Sequence, residues 1–222
     1  GGNVEVEAQG HRIALRSIDS DHTMLTEVET RNHLDLPNGK YAGDFVERRN
    51  KTTLKYPEKL SYDPDTHQLI LRKNDDQMIA DITPDAEGYV PKRSKGRQVG
   101  EVYLQDLSDS INEAWKHTKN MPGGHLTLKE ENNRLILEYP DKNNDTKTHR
   151  KTLAHVKGDF PMTGYDPAKL RDFLQVLDNT DIEHIQLYHN PQGRALTIEG
   201  VLMKNGHPDT TIRHMVAPML GA

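Results

Sequence analysis

Residues 4–19, VEVEAQGHRIALRSID, and residues 126–141, LTLKEENNRLILEYPD, align with each other without a gap. Val4 and Val6 fall on Leu126 and Leu128, Arg12 on Arg134, Ile13 on Leu135, Leu15 on Leu137 and Asp19 on Asp141. Each copy alternates apolar with polar residues, breaks at a polar or glycine-containing pair (Gln9-Gly10, Asn132-Asn133), and alternates again. That is the pattern of a β-hairpin with one buried face. A hairpin repeated so far along a chain marks a duplicated module.

Downstream of each hairpin lies a segment with a shared Asp-Phe pair, GKYAGDFVERRN at 39–50 and DPAKLRDFLQVLD at 166–178. Both read as short helices. In the second, Leu170, Phe173, Leu174 and Leu177 keep the spacing of one buried face, Asp166 is placed to cap the N-terminus and Pro167 takes the first helical position. A second hairpin follows in each copy, LSYDPDTHQLILR at 60–72 and IQLYHNPQGRALTIE at 185–199, and a closing strand at MIADITP and HMVAPML. Ahead of the second copy, EVYLQDLSDSINEAWKHTKN (101–120) places Leu104, Leu107, Ile111, Ala114 and Trp115 on one helix face. The second copy is therefore itself doubled, as helix, hairpin, strand, then the same again, whereas the first copy opens directly on its hairpin. Between them, PKRSKGRQVG (91–100) has the composition of an exposed linker, where Lys92, Arg93, Lys95 and Arg97 read as charges that keep it soluble, contact with DNA being the alternative. The division predicted is a first domain, 1–95, lacking its first helix, and a complete second domain, 96–222.

Composition narrows the classes. With no cysteine, disulfides and thiolate metal sites are excluded and a cytoplasmic setting is expected. No apolar run is long enough for a membrane span. A formal charge of -5 argues against a surface that coats nucleic acid all round and leaves room for a local basic patch.

An α-β-β-β unit doubled within a domain, and the domain repeated along the chain, resembles the DNA clamp fold of the bacterial DNA polymerase III beta subunit, the sliding clamp. The tail HMVAPMLGA resembles that family's closing strand. Tyr165 to Leu177 resembles the helix near the start of its last half-domain, SIDSDHTML (17–25) its turn after the first hairpin, and IADITPDAEGYVPKR (79–93) its domain exit. The resemblance implies an α+β fold with antiparallel sheets outside and helices inside, no catalysis, no cofactor, and a homo-oligomeric ring around duplex DNA. The family has three domains per subunit. The shorter chain here implies either sequence upstream or a two-domain protomer closing as a trimer.

The same resemblance implies two sets of site residues. Lys and Arg on lining helices would meet phosphates without reading sequence: Arg48, Arg49 and Lys51 on the first helix, Lys116 and Lys119 on the second, Lys169 and Arg171 on the third. Asp106, Asp109 and Glu113 make the first half of the second helix repulsive to DNA. A pocket for the short apolar peptides of polymerases and loaders would be walled by Ile18, Thr23, Pro91, Met215, Ala217, Pro218 and Met219, with methionine giving adaptability.

Other chemistries find little in the sequence. The twelve histidines are scattered, with no HxH or HExxH, so no metal site is expected. Asp19, Asp21 and His22 read as turn chemistry. There is no phosphate loop, dinucleotide fingerprint or nucleophile elbow. The rival reading is a non-enzymatic β-rich interaction module outside the cytoplasm, where Asn50-Lys51-Thr52 and Asn144-Asp145-Thr146 would be glycosylation acceptors.

Overall fold

The computed structural model describes residues 3–19, 21–47, 59–73, 76–84, 95–157, 160–192 and 194–219. Its contacts divide the chain into two units, one of residues 1–93 with 209–212 and one of 94–208 with 213–222.

The first unit is antiparallel sheet, with β1 (Asn3–Gln9), β2 (Arg12–Ile18), β3 (Met24–Arg31), β4 (Gly39–Glu47), β5 (Lys59–Asp63), β6 (Gln68–Lys73) and β7 (Asp76–Pro84). The strands lie in the order β5-β6-β7-β4-β1-β2-β3. β1 and β2 form the predicted hairpin, Gln9 opposite Arg12, turning where Gly10 takes φ +59°. Val4, Val6 and Ala8 point into a core with Ile13, Leu36, Tyr41, Leu69, Ala80 and Ile82. On the opposite face the half-buried Arg16 guanidinium meets Glu5 at 3.2 Å, Glu7 at 3.1 Å and Glu27 at 2.6 Å. Burial alone would lower the Arg16 pKa, but Glu27 and Glu7 raise it.

One expectation fails here. GKYAGDFVERRN does not open as a helix: residues 39–47 form β4, paired with β1 on one side and β7 on the other. Gly39 and Gly43 are poor helix formers, each costing about 1 kcal/mol against alanine in a helix. Gly43 also has a positive reason to be in the sheet, because a Cβ there would sit 2.1 Å from the Asp81 carbonyl oxygen of β7. The match of Asp44-Phe45 to Asp172-Phe173 carries no structural equivalence. Arg48, Arg49 and Lys51 fall outside the described residues.

The second unit runs β8 (Arg97–Tyr103), α1 (Leu104–Thr118), β9 (Leu126–Glu131), β10 (Arg134–Asp141), β11 (Asn144–His155), β12 (Thr163–Tyr165), α2 (Pro167–Leu177), β13 (His184–His189), β14 (Leu196–Lys204) and β15 (His207–Val216). Its strands follow two matching orders, β11-β10-β9-β12 and β15-β14-β13-β8. The unit is thus two α-β-β-β halves, and each sheet is completed by the strand that leads into the other half's helix: β12 on β9, β8 on β13. The β9–β10 turn is the predicted Asn132-Asn133 pair, with φ 53° and 60°, the left-handed pair that a two-residue hairpin needs. Asp166 caps α2 by accepting the Ala168 N–H at 2.9 Å, and Pro167 opens the helix.

Leu104, Leu107, Ile111 and Ala114 of α1 and Leu170, Phe173, Leu174 and Leu177 of α2 are buried as their spacing predicts, over a core that includes Leu128, Leu137, Tyr165, Ile185 and Ile198. Trp115 departs from that group and stays half-buried. Lys95, expected as a linker charge, lies 4.1 Å over the Tyr188 ring and 3.1 Å from Glu199, which also has Arg213 at 2.5 Å and the Tyr188 hydroxyl at 2.9 Å. Among the described residues no helix is long and apolar enough to cross a membrane.

Glu199 is 7% exposed. Burial would raise its pKa, but hydrogen bonds from Arg213, Lys95 and Tyr188 outweigh that and hold it below the ordinary glutamate value. A depressed carboxylate contributes stability that is complete above its unfolded pKa and drains as pH falls through the folded one. Glu199→Gln is therefore expected to cost about 1–3 kcal/mol near neutral pH and to lose part of that deficit below pH ~4. Urea midpoints measured across pH check this; an equal deficit at every pH would contradict it.

Candidate functional site

α1 and α2 pack against each other, and the residues they leave on their outer side form one chemically distinct surface. Its centre is Trp115. The Arg171 guanidinium carbon of α2 sits 4.0 Å from the indole centroid and the Lys119 ammonium 4.7 Å from it. Arg171 is further fixed by donating its Nε–H to Asn112 Oδ1 at 3.2 Å. Spacing explains the cluster: Asn112, Trp115 and Lys119 follow at three and four residues, so they share a face of α1. Each cation held over the ring gains roughly 0.5–1 kcal/mol at such a wet site, and Lys116 and Lys119 at the C-terminal end also complement the helix dipole.

The opposite end of α1 is acidic. Asp106 and Asp109 are exposed, and Asp109 accepts from Gln105 at 3.0 Å. Glu113 is held below its ordinary pKa chiefly by its ion pair with Lys151 of β11. Charge along α1 therefore switches from negative to positive near Glu113. Of the expected basic residues, Lys119 of α1 and Arg171 of α2 meet over Trp115, while Lys116 lies in the last turn of α1 and Lys169 near the start of α2. The structure adds Lys142, whose backbone N–H donates to His117 Nδ1 at 3.2 Å, so the β10–β11 turn adjoins the basic end of α1. Sequence reading misses Lys142 because nothing local signals where that turn folds. Arg171 also has Asp172 at 3.7 Å, an exposed and partial offset.

The residues expected to wall a peptide pocket are distributed between the two units. In the first, Ile18 is buried at the end of β2, and Thr23 is fixed by Asp19, which accepts the Thr23 N–H at 2.7 Å and its hydroxyl at 2.8 Å. Asp19 accepts from the Met24 N–H as well, so this segment is built by turn chemistry. In the second, Met215 is buried, Ala217, Pro218 and Met219 are half-buried, and the Met219 N–H donates to Gly164 at 2.9 Å, laying the tail beside β12. Pro91, Lys92 and Arg93 lie outside the described residues. A cleft of about 600 Å³ opens elsewhere in the second unit, between β8 and β11, lined by Val102, Tyr103, Leu153, His155 and His184 among others. Among the described residues, none of the expected site residues lines it.

No protein-family model matches the chain, and no curated protein matches it in sequence. Solved structures do. The DNA polymerase sliding clamp of Pseudomonas aeruginosa aligns over 99% of this chain and 57% of its own, with a TM-score of 0.55 and 11% identity. The DNA polymerase III beta chain of Streptococcus pneumoniae aligns over 98% and 56%, with a TM-score of 0.60 and 12% identity. The PCNA2–PCNA3 complex of Sulfolobus tokodaii aligns over 98% of this chain and 90% of that one, with a TM-score of 0.60 and 10% identity. The chain spans 56–57% of the bacterial chains it matches. At such identities the likeness is one of fold: the chain has the sliding-clamp fold, antiparallel sheet with paired helices.

Trp115 is the sole tryptophan, so its emission reports on this surface alone. Arg171→Ala is expected to shift that emission to the red as the ring gains water, with a stability loss of about 0.5–1 kcal/mol. An unshifted spectrum would contradict the stacking.

Proposed function

We propose that this chain is the protomer of a sliding clamp: a non-catalytic processivity factor whose copies close into a ring around duplex DNA and dock replication proteins. The observation that carries the proposal is that the clamp fold extends over 98% of the chain while the outer side of the helix pair presents cations around an aromatic ring. In this reading the two domains are 1–95 and 96–222. Lys116, Lys119, Lys169 and Arg171 face DNA, together with Arg48, Arg49 and Lys51. The cations hold phosphates by counterion release, which is indifferent to sequence and compatible with sliding. An overall charge of -5 keeps the rest of the body from adhering to nucleic acid, so attraction is local to these cations.

Partner proteins would enter as short apolar peptides at Met215, Ala217, Pro218 and Met219, joined by Ile18, Thr23 and Pro91. The half-buried tail supports this part, because a methionine and a proline left partly open next to a sheet offer apolar surface at little ordering cost. Ring formation and DNA binding both belong to the assembled protein in the cytoplasm.

The test is a titration of duplex DNA against the full chain, followed by Trp115 emission, at several salt concentrations. Reversing Lys116, Lys119 and Arg171 to glutamate is expected to weaken binding equally on unrelated sequences and to reduce the slope of log K against log salt by about 1 for each phosphate no longer neutralised. Light scattering is expected to show an oligomer. An unchanged salt slope in the triple variant would remove these side chains from the DNA surface, and a monomer at all concentrations would end the ring.

A further inference from the structure

The twelve histidines look scattered along the sequence, but folding brings two of them to one carboxylate. His117 comes from the last turn of α1, Asp141 from the end of β10 and His149 from β11. Each offers a ligand atom, and the three atoms lie within 4.8 Å of one another. We propose that His117, Asp141 and His149 form a binding site for a divalent transition metal of the zinc type, tying the basic end of α1 to the β10–β11 hairpin. The inference is independent of the DNA-binding proposal, since it concerns ligand geometry within one unit.

The donor set is chemically suited to the ion. Two imidazoles and one carboxylate are ligands that Zn²⁺ accepts at about 2.0–2.2 Å, with three protein ligands leaving a fourth position for water. Tetrahedral ligands at that radius stand roughly 3.3 Å apart. His149 Nε2 and Asp141 Oδ2 are already 2.7 Å apart, sharing a hydrogen bond. A metal would take the place of the shared proton, opening that pair slightly while drawing His117 inward.

The surroundings hold the ligands in position. The other oxygen of Asp141 accepts the Asn143 N–H at 2.8 Å, which orients the carboxylate and leaves Oδ2 toward the histidines. The His149 ring stacks on Tyr139, centroids 5.0 Å apart and planes at 15°, and Tyr139 is 1% exposed, so the ring lies on a fixed floor. His117 meets His149 edge-on at 4.5 Å. Two features oppose the ion. The Lys147 ammonium lies 3.8 Å from Asp141 Oδ2, but it is 60% exposed and able to swing into solvent. Ligation through either nitrogen of His117 also replaces the 3.2 Å bond it accepts from the Lys142 N–H. The metal would therefore substitute for that hydrogen bond in joining helix to turn.

The experiment uses the full chain freed of metal by a chelator and then titrated with Zn²⁺ by calorimetry, and separately with Co²⁺ followed by its visible absorption. The expected result is one equivalent of Zn²⁺, a tetrahedral Co²⁺ spectrum displaced by Zn²⁺, and a rise in Tm on Zn²⁺ addition. His117→Gln and His149→Gln are each expected to weaken binding more than about 10-fold, the lower end of what loss of even an outer partner costs. His207→Gln, in an exposed position outside the cluster, is expected to leave it unchanged. His117→Gln keeps the His149–Asp141 pair intact, so it remains informative should His149→Gln fail to fold. Zn²⁺ binding of equal strength in the wild type and in His117→Gln, or no stoichiometric binding by the wild type, would overturn the proposal and leave the cluster as a hydrogen-bonded pair.

Discussion

In the second unit, neither sheet is completed by its own half. β12, which leads into α2, hydrogen-bonds to β9, and β8, which leads into α1, hydrogen-bonds to β13. Without these partners β9 and β13 would each present a bare row of N–H and C=O groups, the feature that makes sheet edges sticky. Satisfying them obliges both helices to pass between the same two sheets, α1 from β8 to β9 and α2 from β12 to β13. Two helices that bridge the same pair of sheets lie side by side, and their apolar faces close one core. Everything about the outer surface, including which cations meet over Trp115, follows from that reciprocal pairing.

How much of this is legible in the sequence depends on how local the signal is. The hairpins at 4–17 and 126–139 are readable from alternation and turn residues, and both sit in equivalent places, each first strand flanked by its hairpin mate and by the strand that follows the module's third. The helix at Pro167–Leu177 is readable from its spacing, its aspartate cap and its proline. β4 is misread when a shared Asp-Phe pair is weighed above two glycines, and the demand for glycine at residue 43 comes from β7, a strand distant in sequence. Periodicity alone assigns Trp115 to the core, although a large ring at the margin of a helix face is as well placed to carry cations. Lys142, the Lys95–Glu199 pair and the His117, Asp141 and His149 group depend on tertiary proximity, which no pattern of neighbours along the chain encodes.

The charge arrangement has a simple logic once the fold is fixed. Carboxylates outnumber cations overall, 34 to 29, and many are spent on internal pairs, such as Glu5, Glu7 and Glu27 around Arg16 or Glu199 with Arg213. Lys119 at the α1 C-terminus and Arg171 of α2 are instead held over an aromatic face, Arg171 also by an amide, with only the exposed Asp172 partly offsetting its charge. Positive charge is therefore local to the basic end of α1 and the adjoining Arg171, beside an acidic first half of α1.

Encirclement differs from ordinary adhesion in depending on the topology of the DNA. The decisive measurement equilibrates the full-length protein at high concentration with nicked circular duplex, passes the mixture through a gel-filtration column in elevated salt, and repeats the passage after the circle is cut once. Protein is expected to stay with the circle and to be lost from the linear form, by running off its ends. Equal retention on both, or equal loss from both, would contradict encirclement.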